Sequence, residues 1–195
     1  NAWARSNKWV QSRWGDCEEP IGDVFCTHTA VRKLTFTVST AVGKQLATAC
    51  APQLKRVSME LGGHAPFIVF EDADPVHAAK GAALVKFLNT GQACISPNRI
   101  FVHRSIIDPF LATLTSRIAA LQAGDGFNPA NSIGPLINEA AIAKVDRQVQ
   151  DAVARGATLL AGGSRLPDTG LDNGCFYGAT LLRNVSPALL IYQDD

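Results

Sequence analysis

At 195 residues, with 47% hydrophobic and 18% charged side chains, the chain has a globular composition. It suits one domain or two small ones and argues against disorder over most of the length. Lys and Arg number 18 against 17 Asp and Glu, and a net charge of +1 argues against a nucleic-acid or membrane-surface binder that works by electrostatics. No apolar run reaches the ~20 residues of a membrane span; with no secretory signal in the first residues, the expected location is the cytoplasm.

The first twenty residues hold all three tryptophans, Trp3, Trp9 and Trp14, without a period, and are expected to form an irregular lead-in. Residues 31–37 are β-rich, and Leu34, Phe36 and Val38 alternate as in a strand. Residues 41–54 read as a helix with Val42, Leu46, Ala49 and Cys50 on one face. Val57, Met59 and Leu61 alternate in a short strand that ends at Gly62 and Gly63. The apolar run 66–70 is of the kind buried on both faces. Asp74 and Pro75 are the cap and first residue of a helix to about Leu88. Residues 99–103 read as a strand, and Ser105 as the cap of a helix to about Gln122, with Phe110, Leu114, Ile118 and Leu121 in register. Asn138 starts a helix with Ile142, Val145, Val149 and Val153 on its inner face and Gly156 at its C-terminal cap. Residues 157–161 and 177–182 read as strands. Strands alternating with helices point to a parallel α/β sheet, with Gly/Pro/Asn-rich loops at 128–134 and 162–174.

The five cysteines, Cys17, Cys26, Cys50, Cys94 and Cys175, are odd in number and irregular in spacing. That speaks for a reducing compartment and against a disulfide framework. Cys17, Cys26 and His28 lack the second ligand pair of a structural zinc site, and no metal is expected.

Three places could carry chemistry. Cys94 follows a predicted helix and precedes a strand, so it lies on a loop, where reactive groups are displayed; the alternative is a buried, inert thiol. Glu60 stands between Met59 and Leu61 at the end of an apolar strand. It is either a general base with a raised pKa or a partner of Lys55 or Arg56. Residues 37–43 form a strand-to-helix turn that either presents amides to a phosphate or is simply N-capped by Ser39 or Thr40. His28, His64, His77 and His103 are scattered, and spacing selects none of them as a partner for Cys94.

Taken together and in order, these segments resemble the aldehyde dehydrogenase superfamily. There a turn of the type Phe-Thr-Gly-Ser-Thr-x-x-Gly is followed by Glu-Leu-Gly-Gly and then Gly-Gln-x-Cys. Here they stand as Phe36 to Gly43, Glu60-Leu61-Gly62-Gly63 and Gly91-Gln92-Ala93-Cys94. Gly124-Asp125-Gly126, the run from Ile133 to Asn138 and Gly156-Ala157 match as well. The resemblance covers the chain from about Ile21 onward, and 55–70 and 134–153 look most like succinate-semialdehyde dehydrogenases.

The resemblance implies an α/β fold: the three-layer parallel sheet of a catalytic domain over 61–195, incomplete, with the tail of a Rossmann-like NAD(P)-binding domain over 21–60, after the lead-in 1–20. It implies an enzyme that oxidises a small aldehyde with NAD or NADP, in a homo-oligomeric parent. The Cys94 thiolate would attack the aldehyde carbonyl, hydride would leave to the nicotinamide, and Glu60 would activate the water that hydrolyses the thioester. The Cys94 N–H would be one oxyanion donor. Ser39, with Thr37 and Val38, would lie at the pyrophosphate, Val42 near the adenine, and Leu61 and Gly62 along the nicotinamide.

Departures from the pattern carry expectations of their own. Val38 replaces a glycine, and a β-branched residue that resists positive φ would crowd the cofactor. Leu88 replaces an arginine that holds a substrate carboxylate, a contact worth ~1.5–3 kcal/mol, which points toward other aldehydes. Ser96 replaces a second cysteine, so no disulfide with Cys94 is expected. Family members are more than twice as long. The expectation is a partial chain that lacks most of the nucleotide-binding fold, the oxyanion Asn, the ribose-binding Glu and the last oligomerisation strand. Two further readings stay open: a catalytically silent folded segment or interaction module, and a cofactor-free thiol hydrolase built on Cys94 with Glu60 or a histidine.

Overall fold

The computed structural model describes residues 20–166 and 174–193. Apart from Pro20, the expected lead-in, with its tryptophans and Cys17, lies outside the described residues, as does the stretch 167–173 of the second loop. The chain divides into two units, one ending at Gly62 and the other beginning at Gly63.

In the first unit, helix α1 (Pro20–Thr27) precedes strand β1 (Lys33–Val38), helix α2 (Thr40–Cys50) and strand β2 (Arg56–Leu61). β1 and β2 are parallel, in register from Lys33 opposite Arg56 to Val38 opposite Leu61. Parallel neighbours need a crossover, and α2 supplies it. The alternation of Leu34, Phe36 and Val38 turns these side chains toward a core of Cys26, Leu34, Leu46 and Cys50, with Val42, Ala49 and Met59 packed around it. α2 ends at Cys50 rather than at Leu54. Pro52 has no N–H to continue the ladder, so the chain tightens into a 3-10 turn over Ala51–Gln53, and Leu54 closes it at φ 51°. Lys55 then turns inward. Its Nζ donates to the carbonyls of Phe25 at 3.2 Å, His28 and Val31 at 2.9 Å, gathering the C-terminal end of α1 and the chain beyond it.

In the second unit, strand β3 (Phe67–Val69) leads to helix α3 (Pro75–Lys86), a short 3-10 segment at Leu88–Gly91 and strand β4 (Ile100–Val102). Helices α4 (Ile107–Ala119) and α5 (Glu139–Ala154), strands β5 (Thr158–Ala161) and β6 (Leu181–Arg183) and the short helix α6 (Leu190–Gln193) follow. β3 and β4 pair in parallel through Phe67–Ile100, Ile68–Phe101 and Val69–Val102. The core gathers Val69, Ala79 and Ala82 of α3, and Phe110, Leu114 and Ile118 of α4. The two alanines are small enough to let the α4 side chains approach α3 closely.

The expected α/β class with parallel pairing is observed, and the details depart from expectation at five further places. Within the run 66–70 only Val69 is buried, while Ile68 and Phe70 are 59% and 67% exposed. The strand alternates faces, and among the described elements the core covers only the Val69 side. Ser105 is not the cap of the next helix. His103 Nδ1 accepts from the Ser105 N–H to start a 3-10 turn (Arg104–Ile106), and α4 begins only at Ile107. α4 stops at Ala119, since the Leu121 N–H bonds back to Ile118 O in a tighter turn. In α5 the inner face is Ile142, Val145, Val149 and Ala152, with Val153 exposed one helical step round. Finally, β5 and β6 pair antiparallel, Thr158 opposite Arg183, and Tyr177 forms only an isolated bridge with Arg165. An antiparallel pair does not require the crossover connection that a parallel pair does.

Helix ends follow local chemistry. Asn138 caps α5 by accepting from the Ala141 N–H at 2.9 Å. Gly156, at φ 98°, ends it in a Schellman motif, with Ala157 N donating to Ala152 O and Gly156 N to Val153 O. Asp74 caps α3, accepting from the His77 N–H at 2.9 Å. That bond, then those with the Val76 amide and the charges of His77 and Lys80, hold its carboxyl below the ordinary carboxylate range. A lowered folded pKa means stability that is present above the unfolded value and lost as pH falls through the folded one. Asp74→Asn keeps a good cap but removes the charge. We expect its thermal midpoint to lie below the parent's at about pH 7, and the gap to close toward about pH 3. A gap independent of pH would refute the charge argument.

Candidate active site

Cys94 stands exposed on a turn closed by the Ser96 N–H bonding to Ala93 O at 3.0 Å. The backbone enters this turn through three successive left-handed residues: Asn89 at φ 49°, Thr90 at 59° and Gly91 at 78°. Only glycine adopts that region without cost, and a β-branched Thr90 there stores about 1–3 kcal/mol that the surroundings must hold. They do so through a distant loop. Gln92 donates from Nε2 to Pro135 O at 3.1 Å and accepts at Oε1 from the Ile137 N–H at 2.9 Å. Thr90 Oγ1 accepts from the Gly134 N–H at 3.0 Å. The matched segments 89–94 and 133–138 are thus bolted together, which explains their joint presence. Among the described residues, the Cys94 N–H meets no acceptor.

Behind the turn, Lys86 Nζ donates to Ser96 Oγ at 3.1 Å and Asn98 Oδ1 at 2.6 Å. Burial pushes this amine down to about 8. The Asn98 N–H donates to His64 O at 2.9 Å, and its amide lies 3.4 Å from His64 Nδ1. Leu88, where a substrate-binding arginine was expected, is 52% exposed, and Ile95 is exposed as well.

The other cysteines differ. Cys26 and Cys50 are buried in the first unit's core, where desolvation and their mutual hydrogen bond raise the Cys26 thiol. Cys175 Sγ lies 3.4 Å from Glu139 Oε1, and burial, then that bond, raise it too. No described histidine bonds to Cys94. His103 contacts Ser105 and Glu71, and His28 accepts from the Ala30 N–H. A Cys–His dyad is therefore not part of the described structure.

In the first unit, the ends of β1 and β2 and the start of α2 bring the remaining candidates together. Thr37 lies opposite Glu60, and Val38 opposite Leu61. Ser39 caps α2, its Oγ accepting from the Val42 N–H at 3.4 Å. Gly43 is buried, and a Cβ there would come 2.7 Å from Leu61 Cδ2, so the glycine lets α2 seat on Leu61. Val38 keeps ordinary negative φ and packs toward the apolar core with Val42, so the conformational objection to a valine here does not arise. Gly62 is exposed, and a Cβ on it would meet nothing within 4 Å. Glu60 is exposed and has no ion-pair partner among the described residues. Lys55, one of its expected partners, is spent on three carbonyls.

The described residues thus hold a parallel βαβ turn with a capped helix, followed in sequence by an exposed cysteine on a strained and braced loop. Residues 14–195 match the aldehyde dehydrogenase family, and the chain belongs to it. It is similar to the mitochondrial succinate-semialdehyde dehydrogenase of Arabidopsis thaliana, 46% identical over 175 residues, which are 90% of this chain and 32% of that one. The probable succinate-semialdehyde dehydrogenase [NADP(+)] of Sinorhizobium fredii is 44% identical over 177 residues, 91% of this chain and 35% of that protein. The crystal structure of succinate-semialdehyde dehydrogenase from Burkholderia pseudomallei superposes with a TM-score of 0.82 at 42% identity, covering 89% of this chain and 36% of that one. The chain spans about a third of the length of the curated relatives it matches. No described helix is long and apolar enough to cross a membrane.

Proposed function

We propose that this chain carries the nucleophile and the base of an NAD(P)+-dependent aldehyde dehydrogenase that converts a semialdehyde to a carboxylic acid. The Cys94 turn carries the reading: an exposed thiol on a loop whose strained backbone is held in one conformation by distant hydrogen bonds. Cys94 Sγ gives up its proton and attacks the aldehyde carbon, forming a C–S bond while the carbonyl π pair moves to oxygen. The unengaged N–H of Cys94 is a donor for that oxygen. The sulfur later holds the acyl group as a thioester. Glu60, exposed and without an ion-pair partner, takes a proton from the water that releases the acid.

The first turn of α2 fits a nicotinamide dinucleotide: it is headed by the exposed Ser39 and contains no acidic residue to repel a pyrophosphate. Ser39, Thr37 and Val38 would hold the phosphates, Val42 would pack at the adenine, and Leu61 and Gly62 would face the nicotinamide. The open space around Gly62 supports this, since packing gives no reason for a glycine there. When bound, NAD(P)+ supplies the two-electron acceptor that takes an aldehyde to the acid level. Residues 21–60 then belong to the cofactor domain and 61–195 to the catalytic one. A cytoplasmic, homo-oligomeric parent acting on small aldehydes completes the reading.

The exposed Leu88 favours a less charged substrate than succinate semialdehyde. In a polypeptide of its relatives' length carrying this segment, we expect reduced nicotinamide to appear with succinate semialdehyde, and faster with uncharged aldehydes of similar length. No reduced nicotinamide with any aldehyde tested would overturn the reading. The span of a third of the relatives favours a second reading for the 195 residues alone, a catalytically silent segment. Calorimetric titration with NAD+ and NADP+ separates the two, because micromolar binding counts against silence.

A further inference from the structure

We propose that Lys86 is a positioning residue for Cys94, its amino group fastening the residues just after the nucleophile to the helix end just before it. The inference rests on the reading of Cys94 as nucleophile. Lys86 is the last residue of α3. Its Nζ donates to Ser96 Oγ at 3.1 Å and to Asn98 Oδ1 at 2.6 Å, and Ser96 Oγ donates back to the Lys86 carbonyl at 3.1 Å. These three bonds close the neck of the loop 87–95, which carries Cys94 two residues before Ser96.

The closure is built to exclude competitors. Ser96 is 1% exposed, so water does not replace its partners. No carboxylate among the described residues lies within ion-pair reach of Nζ. The amine has N–H donors for both oxygens whether or not it carries the extra proton. Gly91 keeps the space clear: a Cβ at this position would stand 3.3 Å from Lys86 O and 3.6 Å from Nζ, at a φ of +78°. The loop therefore has two anchors. Gln92 and Thr90 hold it to 134–137, and Lys86 holds its neck. Cys94 lies between them in sequence, and without the Lys86 anchor the turn 93–96 is tied on one side only.

The test is amide hydrogen exchange on the full 195-residue chain. Lys86→Met fills nearly the same volume without a donor. We expect exchange across 90–98 to quicken at least about tenfold, with α4 unchanged. Lys86→Arg, which keeps donors for both oxygens, is expected to stay within about threefold of the parent there. A residue that merely fills space gives the opposite pattern, with Met silent and the bulkier Arg disruptive, and that result overturns the proposal. Equal quickening in α4 and in the loop overturns it too. Should Lys86→Met fail to fold, Asn98→Ala removes the acceptor at 2.6 Å and is read by the same criterion. No aldehyde or nicotinamide enters the measurement. An inactive parent, or a Cys94 variant that keeps turnover, therefore defeats the functional reading without altering this result.

Discussion

On the proposed function, Cys94→Ala in a polypeptide of the relatives' length is expected to lower kcat for aldehyde oxidation by at least about a thousandfold, the scale on which removal of a covalent nucleophile is felt. No other described thiol is placed to substitute. Cys26 and Cys50 are buried in the first unit, and Cys175 is held near Glu139 with its thiol raised. Cys175→Ala is therefore expected to change kcat by less than about twofold. Cys94→Ser separates nucleophilicity from shape: it preserves the turn, but a hydroxyl is a far weaker nucleophile than a thiolate and should be almost as inactive as alanine. The measurement is the steady-state rate of reduced-nicotinamide formation, with cofactor binding followed in parallel so that a loss of affinity is not mistaken for a loss of chemistry. Cys94→Ala turning over at the parent rate would remove Cys94 from the mechanism.

Phe110→Ala is expected to destabilise the second unit by about 3–5 kcal/mol, read from the midpoint of urea unfolding at unchanged slope. Phe110 is 1% exposed and sits in the cluster where α4 packs on α3. The cost depends on how far the surroundings collapse into the void. Here the facing residues include Ala79 and Ala82, both wholly buried and too short to swing inward. The upper part of the range is therefore expected. Leu84→Ala on the same α3 is the control: Leu84 is 75% exposed, and the change should stay within about 0.5 kcal/mol. A loss below about 1.5 kcal/mol for Phe110→Ala would mean that α4 slides to close the gap.

Elements with local signals were readable from the residues. Asp74 and Asn138 marked the starts of α3 and α5 because a side-chain oxygen bonding an amide three residues on is a purely local event. So was the Gly156 stop. The start of α4 was not readable, because no side chain caps it: His103 Nδ1 accepts from the Ser105 N–H to begin a 3-10 turn, and α4 follows only at Ile107. The burial of 66–70 is not legible for another reason. Five apolar residues in a row carry no period, and only the fold decides that Val69 points inward while Ile68 and Phe70 do not. The antiparallel direction of β5 and β6 belongs to the pair, and no pattern within either strand encodes it.

At the candidate site, the loop position of Cys94 was legible, whereas its support was not. Gln92 and Thr90 reach partners more than forty residues away. Two of the three left-handed residues are not glycine, so composition gives no warning of them. Lys86 has little sequence signal. It is one of two lysines on a helix of mostly small and apolar residues, and nothing in the spacing sets it apart from Lys80.

Lys55 gives the first unit a tether that acts as a non-covalent staple. It binds the carbonyls of Phe25 and Val31, on opposite sides of the exposed stretch 27–30, through a single buried amine. A protease that cut the chain after His28 would leave α1 attached, because each fragment would still be gripped by the same nitrogen. Integrity of the peptide backbone and integrity of the packing are thus uncoupled at this corner. A nick visible on a denaturing gel would leave the β1–α2–β2 core with its covering helix in place.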